Sequence, residues 1–157
     1  MRGDQEALLA RLAAVERDYP LAVGVDHLHV GQMLLGVDQN LHPGGAAVTR
    51  SNDQMRSMGL PEIIIDGEVI EADPPHKLVQ THRFLFNDQT KAEGFTRLTW
   101  EVAATHGGFT RLTVTHDVSG APIAAGMVTS KFNDQGGGGW NWILSDLKSL
   151  LETGANL

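Results

Sequence analysis

Hydrophobic positions along the chain change their spacing from helical to alternating and back again. Leu8, Leu12, Val15 and Tyr19 recur in steps of four, three and four, with Glu6, Arg11 and Arg17 left for water. That spacing predicts an amphipathic helix that begins at Asp4, which suits an N-cap. The helix ends before Pro20, which disfavours helical geometry at Tyr19. From 21 to 60 neither period holds. Leu21–Val30 and Gln32–Leu35 read as extended, but Gly24, Gly31, Gly36, Gly44 and Gly45 weaken any regular element there.

After Pro61 the β signals sharpen. Ile63-Ile64-Ile65 is β-branched, Asp66-Gly67 is a turn dipeptide, and Val69-Ile70 resumes an extended run. Asp73-Pro74-Pro75 interrupts the chain, Leu78 to Phe86 reads as the next strand, and Asn87 to Gly94 reads as a polar loop. Thr96–Ala103 and Thr110–Asp117, separated by a segment with Gly107-Gly108, predict a β-hairpin. Leu98, Trp100 and Val102 share one face of it with Leu112, Val114 and His116, while Thr99, Glu101, Thr113 and Thr115 face the other way.

The apolar side of that sheet needs a cover, and the C-terminus supplies one. Following Gly136–Gly139, the residues Trp140, Ile143, Leu144, Leu147, Leu150 and Leu151 fall on one helical stripe, with Asp146, Lys148 and Glu152 off it and Gly154 suited to a C-terminal cap. Several strands followed by one long helix predict an α+β layer architecture. A helix laid on a curved sheet touches it along a line, so side chains must fill the flanks or a cavity remains. Ala121–Val128 reads equally as a short helix or lid over that space and as an ordinary packed connection.

Composition narrows the role. The chain has 157 residues, 12 Lys+Arg against 19 Asp+Glu, a formal charge of -7 and no cysteine. An acidic protein lacks the clustered cations that track nucleic-acid phosphates, and without thiols there is no disulfide, thiolate nucleophile or Cys-based metal site. No apolar run is long enough to span a membrane. Acidic residues interrupt the start where a signal peptide would turn apolar, so a cytoplasmic location is expected.

Four segments in order, Gly67–Val79 (GEVIEADPPHKLV), Thr96–Val102 (TRLTWEV), Thr110–His116 (TRLTVTH) and Gly139–Gly154 (GWNWILSDLKSLLETG), resemble the bacterial homologues of the heat-shock-chaperone ATPase activator. That family lies in the START-like superfamily, also called Bet v 1-like or SRPBCC. The resemblance implies a helix-grip fold, in which a bent antiparallel sheet wraps the C-terminal helix. It also implies binding of a lipid, polyketide or other small apolar molecule, or, as in the eukaryotic namesake, contact with a chaperone. Residues 61–154 match the pattern well. Residues 1–60 match it poorly, since the family's early tryptophans are missing and Trp100 is the first in this chain. The whole of 1–157 is read as one START-like domain.

On the helix-grip expectation, strict alternation gathers Leu78, Gln80, His82, Phe84, Leu98, Trp100, Leu112, Val114 and His116 on the concave face, with Ile143 and Leu147 opposite on the helix. Two imidazoles and an amide among apolar walls would orient a polar group on a hydrophobic ligand. The competing reading has both histidines satisfied by backbone or water, and Trp100 as plain core. His27-Leu-His29 has a spacing that metals use, but a third ligand would have to come from Asp26, His42 or a distant carboxylate, so a solvated loop is favoured.

The Gly136–Gly139 run lacks the Lys-Ser/Thr of a phosphate loop, and no serine sits in an elbow context. His116 and Asp117, adjacent on a strand, point oppositely. No catalytic residue, metal or cofactor is therefore assigned. The leading expectation is a binder of a small apolar molecule. The alternatives are a protein-interaction module acting on a chaperone, and an enzyme with His82 or His116 as general base.

Overall fold

A computed structural model describes residues 9–10, 37–39, 42–73, 76–104, 106, 110–129 and 139–153. The Thr-rich alternation produces the expected hairpin: β6 (Thr96–Ala104) and β7 (Thr110–Asp117) pair from Arg97↔Asp117 to Ala104↔Thr110. On the other side of β6 lies β5 (Lys77–Phe84), with Leu78 opposite Trp100 and His82 opposite Thr96. The sheet continues antiparallel through β4 (Ile63–Asp73), β3 (Ala46–Arg50) and β2 (Val37–Gln39). The short β1 (Leu9–Ala10) pairs with the outer edge of β7, which gives the order β1-β7-β6-β5-β4-β3-β2.

Three local expectations change. Leu9–Ala10 is extended, although the spacing around it predicts a helix. Both residues lie off the predicted stripe, and pairing them with Asp117 and His116 satisfies backbone groups that the edge of β7 would otherwise leave open. Asp66-Gly67 is not a turn but the middle of β4. Gly67 sits opposite Ala47, and a Cβ on it would lie 1.9 Å from the carbonyl oxygen of Thr81. Glycine is there for close backbone approach, one of its recognised uses inside strands.

The polar loop after β5 holds a short helix, Asp88–Ala92. A capping box starts it: Thr90 N donates to Asn87 Oδ1 at 2.9 Å, and Asn87 N donates to Thr90 Oγ1 at 3.2 Å. The remainder of the predicted helix from Asp4, the extended readings within 21–35 with His27 and His29, Pro74-Pro75, Gly107-Gly108 and Gly136–138 lie outside the described residues.

Register shifts at Thr49/Arg50 and Val69/Glu71 put bulges into the ribbon, and bulges bend strands. The curved sheet carries four helices among the described residues: α1 (Asp53–Ser57), α2 (Asp88–Ala92), α3 (Pro122–Val128) and α4 (Gly139–Thr153). Its apolar face packs against the last two. Leu98, Trp100 and Val114 join Ala124, Ala125 and Val128 of α3 and Trp140 of α4 in one buried cluster, with Leu78, Phe84, Leu112, Ile143 and Leu144 at its margin. This is the α+β helix-grip architecture. Of Ala121–Val128, residues Pro122–Val128 thus form a helix whose inner side is core.

The N-cap residue of α3, Ala121, has no side chain that can cap. Glu93 supplies the acceptors from the α2–β6 connection, its carboxylate taking Ile123 N at 2.6 Å and Ala124 N at 2.9 Å. On the sheet's outer face Arg83 grips Asp66 through two bonds of 2.9 and 2.5 Å and lies 4.2 Å above the Phe95 ring. Among the described residues, no helix is long and apolar enough to cross a membrane.

Candidate functional site: the concave face beneath the last helix

The residues that alternation assigned to the concave face come together. Gln80, His82, Leu98, Trp100, Val114 and His116 are buried, as is Leu147 on α4, while Leu78, Phe84, Leu112 and Ile143 are half-buried. Their rings form a chain of contacts. His82 meets Phe84 edge-on at 4.7 Å between centroids and His116 at 4.8 Å; His116 meets Trp140 at 5.9 Å, and Trp140 meets Trp100 at 5.2 Å. Phe86 extends the row by stacking on Phe84 at 5.4 Å. Trp142, two residues along α4 and off its apolar stripe, is 58% exposed.

One hydrogen-bond relay runs through the middle of this row. Trp140 Nε1 lies 3.2 Å from His116 Nδ1, His116 Nε2 lies 2.7 Å from Thr96 Oγ1, and Thr96 Oγ1 lies 2.7 Å from the His82 carbonyl oxygen. An indole nitrogen only donates, so His116 Nδ1 accepts and its proton sits on Nε2. That N–H donates to Thr96, whose hydroxyl donates onward to the carbonyl. Every donor in the relay has an acceptor, and His116 is neutral with both ring nitrogens in use.

Two buried polar atoms are left out. His82 Nδ1 and Trp100 Nε1 have no hydrogen-bond partner among the described residues. They sit at opposite ends of the contact chain His82–His116–Trp140–Trp100. Leaving such a group unpaired costs about 1–3 kcal/mol.

Burial also sets the charge states. His82 is pushed down to about 3, first by desolvation and then by the neighbouring His116 ring, against a smaller backbone hydrogen-bond effect in the other direction. His116 is pushed down to about 4 by desolvation, which outweighs the opposing pull of Asp117. Both are neutral near pH 7. The Asp117 carboxyl points away and accepts from Ser119 N at 3.0 Å; its bonds to Ser119 hold it below the ordinary carboxylate value.

Two participants were invisible to alternation. Thr96 reads as an ordinary strand threonine, and Trp140 as part of an apolar stripe, because nothing local to either announces a partner 20 or more residues away. His42 is exposed and bonds the Pro43 carbonyl oxygen at 3.0 Å, and no group of three metal-ligating side chains occurs among the described residues.

A bent antiparallel sheet closed by a C-terminal helix over a buried row of rings defines a START-like, Bet v 1-like protein of the SRPBCC superfamily. Within that superfamily the chain belongs to the family described as Activator of Hsp90 ATPase homolog 1-like protein, whose family model matches residues 33–152. Among solved structures, it is similar to a protein from Bordetella parapertussis, at 18% identity and a TM-score of 0.53, covering 84% of this chain and 66% of that one. CalU16 from Micromonospora echinospora matches at 14% identity and a TM-score of 0.48, covering 75% of this chain. An HSP90 activator from Plasmodium falciparum matches at 20% identity and a TM-score of 0.41, covering 83% of this chain and 75% of that one. The chain spans only 57% of the length of CalU16. No curated protein matches the sequence.

Proposed function

We propose that this protein reversibly binds a small, largely apolar molecule between the concave face and α4, and carries out no chemistry on it. The observation that supports this most directly is the pair of buried polar atoms without a partner among the described residues, His82 Nδ1 and Trp100 Nε1, on a face lined largely by apolar and aromatic groups. A folded protein keeps such atoms rarely, and a ligand that pairs them recovers their desolvation cost. Gln80 and His82 on β5, Leu98 and Trp100 on β6, Leu112 and Val114 on β7, and Ile143 and Leu147 on α4 would form the walls. His116, saturated by Trp140 and Thr96, would hold the wall's shape. The reading treats residues 1–157 as one domain, as the pairing of Leu9–Ala10 with β7 favours, and it includes the cytoplasmic setting expected from the sequence.

A screen of small apolar compounds by native mass spectrometry and thermal shift tests the proposal. Binders are expected with the wild-type protein and lost in Val114→Phe, which fills the face. An absence of binders, or binding indifferent to that substitution, overturns it.

A second reading has one observation in its favour. Trp142 is a large aromatic left exposed on α4, as expected of a protein-contact anchor, and the family's description concerns a chaperone ATPase. Stimulation of an Hsp90 ATPase that is abolished by Trp142→Ala and kept in Val114→Phe would establish it.

A further inference from the structure

The two unpartnered atoms differ in what they can accept as partners, and the difference constrains the ligand. Trp100 Nε1 is a donor only, so whatever pairs it must present a lone pair. His82 Nδ1, on a neutral imidazole, either donates or accepts according to tautomer. The concave positions of the strands between them, 78, 80, 82 and 84 on β5, 96, 98, 100 and 102 on β6, and 112, 114 and 116 on β7, carry no Lys, Arg, Asp or Glu. An ionised ligand would meet no counter-charge there, and burying an unpaired charge costs far more than burying a dipole. Trp140 cannot substitute for Trp100 as the donor, because its own N–H is committed to His116.

Resting on the binding role above, we infer that the ligand is uncharged and carries a hydrogen-bond acceptor, a carbonyl or ether oxygen, which Trp100 Nε1–H engages. Trp100 is in that case the specificity-determining residue of the site. It separates oxygen-bearing molecules from hydrocarbons of the same shape, because only the former pay back the desolvation of the indole N–H. Rejection is asymmetric in the same sense: a site built around a buried donor penalises the ligand that leaves the donor unpaired.

The test uses the full chain and two shape-matched pairs, 9-fluorenone against fluorene and 2-undecanone against undecane, with 9-fluorenone-4-carboxylate as the charged analogue. Binding is measured by calorimetry, and the three indole N–H signals are followed by nitrogen-15 NMR. Trp100 is assigned from Trp100→Phe or, should that variant not fold, by through-bond correlation in the wild type.

The ketones are expected to bind at least tenfold more tightly than their hydrocarbon partners and than the carboxylate. The Trp100 indole proton should move downfield with the ketones alone, while the Trp140 signal stays in place. In Trp100→Phe the preference for ketone over hydrocarbon should vanish. Equal binding of ketone and hydrocarbon, preferred binding of the carboxylate, or ketone binding that leaves the Trp100 signal unmoved overturns the inference and leaves the binding role standing. If no member of either pair binds, both fall.

Discussion

The indole N–H of Trp140 donates to Nδ1 of His116 at 3.2 Å, and so joins the first turn of the last helix to the last long strand through a bond that also selects the imidazole tautomer. Because His116 passes the constraint to Thr96, which passes it to the His82 carbonyl, α4, β7, β6 and β5 are tied together at one buried point.

Trp140→Phe should therefore cost more than its lost area. It leaves His116 Nδ1 buried without a donor, about 1–3 kcal/mol beyond the packing loss. Urea unfolding of Trp140→Phe, His116→Phe and the double variant gives the coupling. A value of about 1 kcal/mol or more is expected, whereas additivity within about 0.3 kcal/mol would mean that the bond contributes nothing.

Acid should destabilise the fold earlier than its carboxylates do. His82 and His116 have folded values of about 3 and about 4, below the ordinary 6.5 that each regains on unfolding. Between those limits the unfolded chain binds protons that the folded chain refuses, so stability falls as pH drops below 6.5 and is independent of these groups above it. The slope is about 1.4 kcal/mol per pH unit for each histidine. Urea midpoints at pH 7.5, 6 and 5 measure it. His82→Gln should flatten the curve, and an unchanged midpoint at pH 5 in the wild type would contradict the neutral burial of both rings.

Two glycines are expected to respond in opposite directions. Gly67→Ala drives a methyl to 1.9 Å from the Thr81 carbonyl oxygen, which is backbone and has nowhere to yield, so a loss of several kcal/mol or failure to fold is expected. Gly126 lies inside α3 with open space where its Cβ would stand. Gly126→Ala should stabilise the protein by about 0.5–1 kcal/mol, through helix propensity alone. Thermal melts of the two variants decide both claims.

Glu93→Ala removes the only side-chain cap described for α3. About 1–2 kcal/mol of stability should go with it. The amide protons of Ile123 and Ala124 should exchange faster with solvent while those of β6 and β7 keep their protection, since the loss is local. Glu93→Gln, which retains one acceptor oxygen, should fall between the two.

How far the molecule could be read in advance follows from the range of each interaction. The hairpin, β5 and the inward stripe of α4 were legible because an alternating or 3.6-residue period is written within a few neighbouring positions. The four matching segments placed those elements in the helix-grip arrangement. The capping box at Asn87 and Thr90 was legible in principle and hidden inside a polar stretch that reads as a loop. Asp66-Gly67 misled because a turn dipeptide and a close-approach glycine look alike until Thr81 is seen beside it. Leu9–Ala10 misled because the open edge of β7, which decides their conformation, lies more than a hundred residues downstream.

By itself the sequence determined which residues face inward on β5, β6, β7 and α4, and that the buried face is uncharged and rich in rings. Those are consequences of local period and side-chain type. Only the tertiary structure decided which polar atoms on that face are paired: His116 is saturated by Trp140 and Thr96, and α3 is capped by a glutamate 30 residues earlier. It also decided that His82 Nδ1 and Trp100 Nε1 remain unmatched among the described residues. The physical reason is that hydrogen bonding depends on distance and direction between groups far apart in the chain, and no spacing within one strand or helix encodes either.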